Sequence, residues 1–372
     1  MKPMIESLPP FIKGMELCKR FYQEAVRPLM DQYFPSVKYS AAKLDTGSEI
    51  LGLDTPQSRD HHWGPKVMIF VDEQYYDLLS AKISKLMAEE LPFTFQGYPT
   101  NFAIGDTASG GVMEFTDQRP LNHGVSVHTV GSFFEPHLGI IPEDSISEKQ
   151  WLTMSQQRLS IVVKGLIFHD GLGRLSRIQE KLRWYPEDVW IYLLACQWVR
   201  LDQEEPFTTR CGDVGDELGS RIVATRQVVE LMRLCFLMEK QYWPYYKWFG
   251  SVFSQLACAP LFSPILTAIL DASTWRERES YLNQAYVHAG EMHNRLGITD
   301  PIDTTISQFF DRPYNVIHVE RFWLALLDKV DSKLLKSMWR LVGSVDQFAD
   351  STDIFSWTKA LSCLGSVYDL GR

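Results

Sequence analysis

The sequence lacks the short signatures of several large enzyme classes. It contains no P-loop and no glycine-rich dinucleotide fingerprint, and its segment DTGSE does not follow the Gly-x-Ser-x-Gly pattern of a nucleophile elbow. Its six cysteines form no Cys-x-x-Cys pair, which excludes the usual zinc-ribbon and redox spacings. Most of them lie in apolar, helix-like stretches, so we expect reduced, buried thiols in a cytoplasmic protein.

Basic residues are also fewer than acidic ones. The 372 residues include 37 Lys and Arg against 46 Asp and Glu, which gives a formal net charge of −9. This balance disfavours nonspecific binding to a polyanion, so we expect no nucleic-acid partner. A local basic pocket for a phosphate is compatible with the same composition.

The chain has no long, unbroken apolar run. The N-terminal segment MKPMIESLPPFIKG lacks a continuous apolar core, so we expect no signal peptide. Residues 248–270 are uncharged, but Gly250, Pro260 and Pro264 interrupt them. Such breaks favour buried helices with a kinked connection over a membrane span.

Apolar periodicity changes along the chain. Between Phe11 and Tyr33, apolar residues recur at steps of three and four, which predicts a first helix. The short apolar runs KVMIFV, FTFQGY and GVSVHTV then alternate with turn residues, and EQYYDLLSAKISKLMAEELP reads as a helix between them. After about residue 148 the pattern becomes helical.

This change of pattern predicts an α+β protein with a small mixed sheet followed by an all-helical part. The boundary should fall between residues 140 and 180. The predicted parts are an N-terminal helix that packs on the core (1–35), a sheet domain (36–147) and a helical domain (148–372).

The segment GSEILGLDTPQSRDHHWGPKVMIFV carries the main candidate site. A Gly-Ser pair at a strand-to-helix turn, here Gly47 and Ser48, offers backbone N–H groups and a hydroxyl to a phosphate. Alternate residues of a strand face the same side, so we expect Asp60 and His62 to face one site. Asp60 would hold a divalent cation beside the phosphate, or would cap a turn.

Neighbouring residues of this segment divide into two groups. Arg59 and Lys66 flank the motif and could contact phosphates, with a surface position as the alternative for each. His61 and Trp63 should point to the opposite side, into the protein interior.

Gly47-Ser48 followed by Asp60-His61-His62 resembles the signature of the polymerase-beta-like nucleotidyltransferase superfamily, in which Asp-x-Asp follows Gly-Ser. A longer set of motifs, over roughly residues 40–325, resembles the DUF4037 family of uncharacterised nucleotidyltransferase-like proteins. These motifs are GSEILGLDTPQSRDHHWGP, FHDGLG, YPEDVW, QEEPF, GDVGDELGSR and YYKWFG.

The resemblance implies a nucleotidyltransferase domain followed by an all-helical domain. It implies an enzyme that moves a nucleoside monophosphate from ATP or another NTP to a hydroxyl of a small molecule. The turn at Gly47 and Ser48 would hold the triphosphate, while Asp60 and His62 would act as catalytic residues and ligands of Mg²⁺ or Mn²⁺. The helical domain would supply the acceptor pocket.

The sequence departs from the superfamily pattern at two places. His62 stands where a second acid is expected, and the strand GVSVHTV offers Ser126 or His128 in place of a third carboxylate. Histidine is a poor ligand for magnesium and a better one for manganese or zinc. Two alternatives therefore stay open: a degenerate protein that binds a nucleotide without transfer, and a helical interaction surface.

The helical part holds further candidates. Glu204 and Glu205 in QEEPF could supply a general base, or could mark a solvated helix end. Lys247 in YYKWFG could reach a triphosphate, or could extend from the edge of the core into solvent.

The segment GDVGDELGSR places three acids and one arginine at a helix entrance. Asp213, Asp216, Glu217 and Arg221 could bind a cationic or hydroxyl-rich acceptor. Acids at a helix N-terminus are also favourable without any function, which is the alternative.

Overall fold

The computed structural model describes residues 9–103, 111–338 and 340–370. The chain forms two compact units, each described here by itself. Unit 1 comprises residues 1–145 and 161–183, and unit 2 comprises residues 146–160 and 184–372.

Unit 1 begins with one helical stretch. Helix α1 (Gly14–Phe21) continues through a π-helical turn (Tyr22–Val26) into α2 (Arg27–Tyr33). Pro28 lies in the first turn of α2 and has no N–H to donate, so the regular hydrogen-bond ladder is interrupted and a wider turn precedes it. The helix predicted between Phe11 and Tyr33 is confirmed.

A small mixed sheet forms the centre of unit 1. The strands of this unit are β1 (Tyr39–Lys43), β2 (Val67–Val71), β3 (Thr94–Phe95), β4 (Tyr98–Pro99), β5 (Val125–His128) and β6 (Leu166–Asp170). Four of them form one sheet in the order β5-β2-β1-β6. β1 pairs antiparallel with β2 and β6, and β2 pairs parallel with β5. The predicted α+β class with a small mixed sheet is confirmed.

The remaining helices follow in chain order. They are α3 (Tyr76–Glu90), α4 (Val130–Leu138), α5 (Glu148–Thr153), α6 (Gln156–Lys164), α7 (Leu175–Lys181), α8 (Glu187–Asp202), α9 (Phe207–Asp213), α10 (Glu217–Met238), α11 (Tyr246–Phe253), α12 (Ala259–Asp271), α13 (Trp275–Arg295), α14 (Glu320–Lys329), α15 (Lys333–Ser337), α16 (Val345–Phe348), α17 (Thr352–Phe355) and α18 (Thr358–Leu364). A small hairpin, β7 (Ser307–Gln308) with β8 (Asn315–Val316), interrupts them in unit 2.

The core of unit 1 encloses both central strands. Every residue of β1 and of β2 is buried. Leu17 of α1, Met30 of α2 and Ile83 of α3 belong to the same apolar cluster as Ile69 of β2. The end of β1 therefore lies inside the unit, and its last residue, Lys43, is buried with it.

Strand β6 departs from the prediction that the chain is helical after residue 148. Its pairing with β1 joins residues about 130 positions apart, which a local pattern does not reveal. Asp170 at its end accepts hydrogen bonds from the Ser40 hydroxyl at 2.7 Å and from the backbone N–H of Ser176 at 2.9 Å. Contact with β1 thus accounts for the return of this segment to unit 1.

Unit 2 is built around α8 and α10. Residues Val189 to Val199 of α8 are all buried. Among the described residues no helix is long and apolar enough to cross a membrane, and residues 248–270 fall within α11, α12 and their connection. All six cysteines are free, as predicted, but burial holds only for Cys18, Cys196 and Cys235.

Candidate functional site

The Gly47–Ser48 pair follows β1 and opens a tight helical turn. The N–H of Ile50 donates to the Gly47 carbonyl at 3.3 Å, and the N–H of Leu53 donates to the Ser48 carbonyl at 3.0 Å. Gly47 has a φ of +149°, and a Cβ at this position would overlap the Glu49 carboxylate. Glycine is therefore required here both by the backbone conformation and by the close approach of a side chain.

Buried charges surround this turn. Lys43 is 1% exposed, and its Nζ contacts the Asp45 carboxylate and lies 3.3 Å from Glu49 Oε1. It also donates to the Thr46 carbonyl at 3.2 Å. Glu49 is 4% exposed, whereas the Asp45 side chain keeps 44% of its surface accessible. One buried cation therefore joins a buried acid to an acid that solvent can reach.

The three groups set each other's protonation. Burial lowers the pKa of Lys43, but the Asp45 and Glu49 carboxylates raise it more, so its pKa lies above the usual value. Partial desolvation raises the pKa of Asp45, but the charge of Lys43 and its hydrogen bond lower it more, so the net pKa is depressed. For Glu49 burial outweighs the attraction of Lys43, and the pKa is raised. Lys43 and Asp45 are thus an ion pair at neutral pH.

Lys66, just before β2, and His128, at the end of β5, interact electrostatically with the same cluster. Lys66 precedes β2, and burial and the charge of Lys43 lower its pKa, against the attraction of Asp45 and Glu49. Burial also lowers the pKa of His128, and the charge of Asp45 opposes this effect. Lys66, a predicted phosphate contact, and His128, on the strand expected to carry a third carboxylate, are therefore both influenced by the charge of Asp45.

The prediction that Asp60 and His62 lie on a strand is wrong. Asp60 ends a short 3₁₀ helix (Pro56–Asp60), its side chain is 60% exposed, and its carboxylate lies 2.7 Å from His61 Nδ1. His62 has a left-handed backbone with a φ of +56°, and β2 begins only at residue 67. The alternation that would place both side chains on one face is therefore absent from this segment, and the ligand role of each stays a prediction.

Trp63 and His61 differ in burial, although both were expected to point into the protein interior. Trp63 is 1% exposed, and its Nε1 donates to Asp54 Oδ2 at 3.1 Å, which confirms the predicted packing. Asp54 also accepts a hydrogen bond from the N–H of Gly14 at 2.7 Å, so the motif segment is fixed to the start of α1. His61 has a side chain that is 46% exposed, and its predicted packing is wrong.

Two other predicted phosphate ligands have local partners. Arg59 donates to the Pro56 carbonyl at 2.8 Å and to the Pro9 carbonyl at 3.2 Å. Lys247 is exposed, with its Nζ 5.0 Å from the centre of the Trp248 ring. Lys247 is thus exposed, as expected if it extends from the edge of the core into solvent. Arg59 donates to backbone carbonyls.

Glu204 and Glu205 have different surroundings. Glu204 accepts two hydrogen bonds from Arg226, at 2.6 and 2.9 Å. Glu205 is 7% exposed and accepts from the N–H groups of Ile317 at 2.8 Å and Val319 at 3.3 Å. Burial raises the pKa of Glu205 to about 7, which suits a group that exchanges a proton at neutral pH.

Glu205 also belongs to an acidic group that the sequence analysis did not single out. Oxygens of Asp202, Glu205 and Glu320 lie within 4.8 Å of one another, as three metal ligands would. Within the described parts of the chain, Asp60 and His62 belong to no such group of three. The Trp323 indole donates to Asp202 at 3.1 Å and so fixes one member.

The predicted acceptor residues include a helix cap and an ion pair. Asp216 accepts a hydrogen bond at 2.7 Å from the backbone N–H three residues later, which makes it the N-cap of α10. Glu217 pairs with the buried Arg278, and Arg221 donates to a backbone carbonyl at 3.3 Å. Asp213 is exposed at the end of α9. Asp216 thus stabilises the N-terminus of α10, which was the alternative to acceptor binding.

A comparison with known protein families agrees with part of the resemblance seen in the sequence. Residues 151–249 match the family described as "Domain of unknown function (DUF4037)". No curated protein matches the chain. Among solved structures, a nucleotidyltransferase-like protein from Exiguobacterium sibiricum 255-15 aligns with a TM-score of 0.31 and 13% identity, over 83% of this chain and 89% of that chain. The family match confirms the predicted DUF4037 resemblance over residues 151–249. Over the rest of residues 40–325, which includes the Gly47–Ser48 turn, the resemblance stays a prediction.

Proposed function

We propose that this protein is a metal-dependent nucleotidyltransferase that binds ATP or another NTP at the Gly47–Ser48 turn. It would transfer the nucleoside monophosphate to a hydroxyl of a small molecule. The observation that supports this most is the charge cluster at the turn, where buried Lys43 holds the accessible carboxylate of Asp45. Lys66 would supply positive charge to the phosphates.

Asp45 is a metal-ligand candidate that the sequence analysis missed. Its side chain is 44% exposed and its depressed pKa keeps it ionised, as a metal ligand must be. Asp60 is the candidate from the sequence, and it is likewise exposed. Variants of the two residues distinguish these candidates.

The donors present fit Mg²⁺ or Mn²⁺ that arrives with the nucleotide. Magnesium takes oxygen ligands and keeps several waters, so one carboxylate together with phosphate oxygens suffices. In the described residues neither Asp45 nor Asp60 belongs to a group of three protein ligands, so we expect these two residues to bind little metal without nucleotide. When bound, the metal neutralises phosphate charge during transfer.

The reaction itself is an in-line displacement at phosphorus. The acceptor oxygen forms a bond to the α-phosphorus, the bond to the bridging oxygen breaks, and pyrophosphate leaves. The hydroxyl proton passes to a general base. The sequence analysis offers Glu204 and Glu205 for this role, and the assignment stays a prediction.

Calorimetry with ATP and Mg²⁺ or Mn²⁺, followed by a pyrophosphate-release assay with a panel of hydroxyl acceptors, tests this proposal. We expect metal-dependent ATP binding and release, with the ATP affinity of Asp45→Asn at least about tenfold lower because a charge-assisted contact is lost. Asp117→Asn, which removes an exposed acid of unit 1 outside the motif segment at residues 47–71, should behave as wild type. Wild type that binds no ATP with either metal would refute the proposal.

A nucleotide-binding protein without transferase activity is the second candidate. The small number of metal ligands near the turn favours it, because fewer carboxylates would hold the metal that neutralises the phosphates. It predicts that wild type binds ATP with metal but releases no pyrophosphate with any acceptor.

A further inference from the structure

Cys235 and Cys258 are two free thiols of unit 2 that take no part in the proposed function. Cys235 lies in the last turn of α10 and is fully buried, whereas Cys258 is the N-cap residue of α12 and is partly exposed. Burial, and after it a hydrogen bond with the Cys258 thiol, raise the pKa of the Cys235 thiol. The two thiol groups are therefore neighbours.

The backbone around this pair is held by Glu239. The N–H of Glu239 donates to the Cys235 carbonyl at 3.0 Å, so the two residues lie one helical turn apart on the same face. The Glu239 carboxylate accepts hydrogen bonds from the N–H of Cys258 at 2.7 Å and from the N–H of Ala257 at 2.8 Å. Two charge-assisted hydrogen bonds thus fix the start of α12 against the face of α10 that carries Cys235.

We propose that Cys235 and Cys258 form a reversible disulfide when the protein meets a small disulfide such as glutathione disulfide. The partly exposed Cys258 reacts first: its thiolate attacks one sulfur of the glutathione disulfide, and one glutathione leaves. Cys235 then attacks the Cys258 sulfur of the mixed disulfide, and the second glutathione leaves. The two protein thiols are oxidised, the glutathione disulfide is reduced, and the two thiol protons pass through solvent to the two glutathione molecules.

This bond would connect the end of α10 with the start of α12. The loop that it closes contains α11 and the motif YYKWFG. A closed loop has fewer unfolded conformations, so the oxidised protein should be the more stable form. A reducing dithiol should restore both free thiols. The inference concerns unit 2 alone and does not depend on nucleotide transfer.

Oxidation of the full, folded chain with glutathione disulfide tests the proposal, followed by acid quenching, alkylation in denaturant and peptide mass spectrometry. We expect two peptides joined through Cys235 and Cys258, with a mass lower by two hydrogen atoms than the sum of the reduced peptides. Dithiothreitol should separate them, and the exposed Cys363 should carry glutathione instead. Glutathione on Cys258 beside a free Cys235, or an unchanged Cys258 under conditions that modify Cys363, would overturn the proposal.

Variants separate the two steps of the reaction. Cys258→Ser alters a partly exposed residue, so the fold should persist, and it should abolish the joined peptides and leave Cys235 unmodified. Cys235→Ala should accumulate a mixed disulfide of glutathione on Cys258. Cys363→Ser removes an exposed thiol of α18 and, as the matched control, should form the joined peptides as wild type does. If wild type and Cys235→Ala accumulate the same amount of glutathione on Cys258, Cys235 does not attack the mixed disulfide and the proposal fails.

Discussion

Replacement of Asp346 with asparagine should make the stability of the protein less dependent on pH. The carboxyl group is 2% exposed, and burial raises its pKa from 3.8 to about 7, against the opposing effects of the Gln156 N–H and the charge of Arg233. Asparagine has nearly the same shape and keeps an oxygen that can accept the hydrogen bond from Gln156.

The sign and size of this effect follow from the proton balance. Between pH 4 and pH 7 the unfolded chain has released the Asp346 proton while the folded protein retains it, so stability falls as the pH rises. One pH unit corresponds to about 1.4 kcal/mol for a single group, so the total loss approaches about 4 kcal/mol. Between pH 5 and pH 8, wild type should lose about 2 to 3 kcal/mol that Asp346→Asn does not lose.

Urea denaturation followed by far-ultraviolet circular dichroism at pH 5 and pH 8 measures this difference. Asp353→Asn, which removes an exposed carboxylate of unit 2, should follow the wild-type pH dependence and is the control. If the stabilities of Asp346→Asn and wild type change in parallel between the two pH values, Asp346 does not retain its proton and the reasoning is wrong.

Three substitutions test other structural roles by the same denaturation assay. Lys43→Met should lower the free energy of unfolding by about 3 to 5 kcal/mol because it leaves the buried Glu49 without its cation. The double variant with Glu49→Gln should be more stable than Lys43→Met alone. Equal stability of the two variants would contradict the pairing. Gly47→Ala should cost about 1 to 3 kcal/mol, since φ is +149° and a Cβ would overlap Glu49. Asp216→Ala should cost about 1 kcal/mol as a lost helix cap, and a stability equal to wild type would refute the capping role.

Local sequence patterns predicted two strands and one helix of unit 1. The apolar run KVMIFV became β2 and GVSVHTV became β5, and the helix expected before Pro92 ends at Glu90. Strand β6 was not predicted because its position depends on pairing with β1, far away in the chain. A local pattern contains no information about such a partner.

Local signals also account for what was and was not predicted at the candidate site. The Gly47–Ser48 turn was recognisable, because a glycine beside a hydroxyl residue has a local meaning. The placement of Asp60 failed because Thr55 and Ser58 form a capping box, and Pro56 then starts a 3₁₀ helix where a strand was expected. Pro56 and the Thr-x-x-Ser spacing were the available signals.

The charges beside the turn were missed for a different reason. A lysine at the end of a short run of small residues is usually exposed, and only the packing of β1 inside unit 1 buries Lys43. The available signal was the presence of two acids, Asp45 and Glu49, within six residues of this lysine. Buried lysines need such partners.

We propose that Asp45 holds a divalent metal only together with a nucleotide. Electron paramagnetic resonance of Mn²⁺, recorded with the full chain in the presence and absence of a nonhydrolysable ATP analogue, tests it directly. We expect an Mn²⁺ signal that depends on the analogue, that is lost in Asp45→Asn and that is retained in Asp117→Asn; Mn²⁺ bound at Asp202, Glu205 and Glu320 would not depend on the analogue. Equal Mn²⁺ binding by wild type and Asp45→Asn in the presence of the analogue would contradict it.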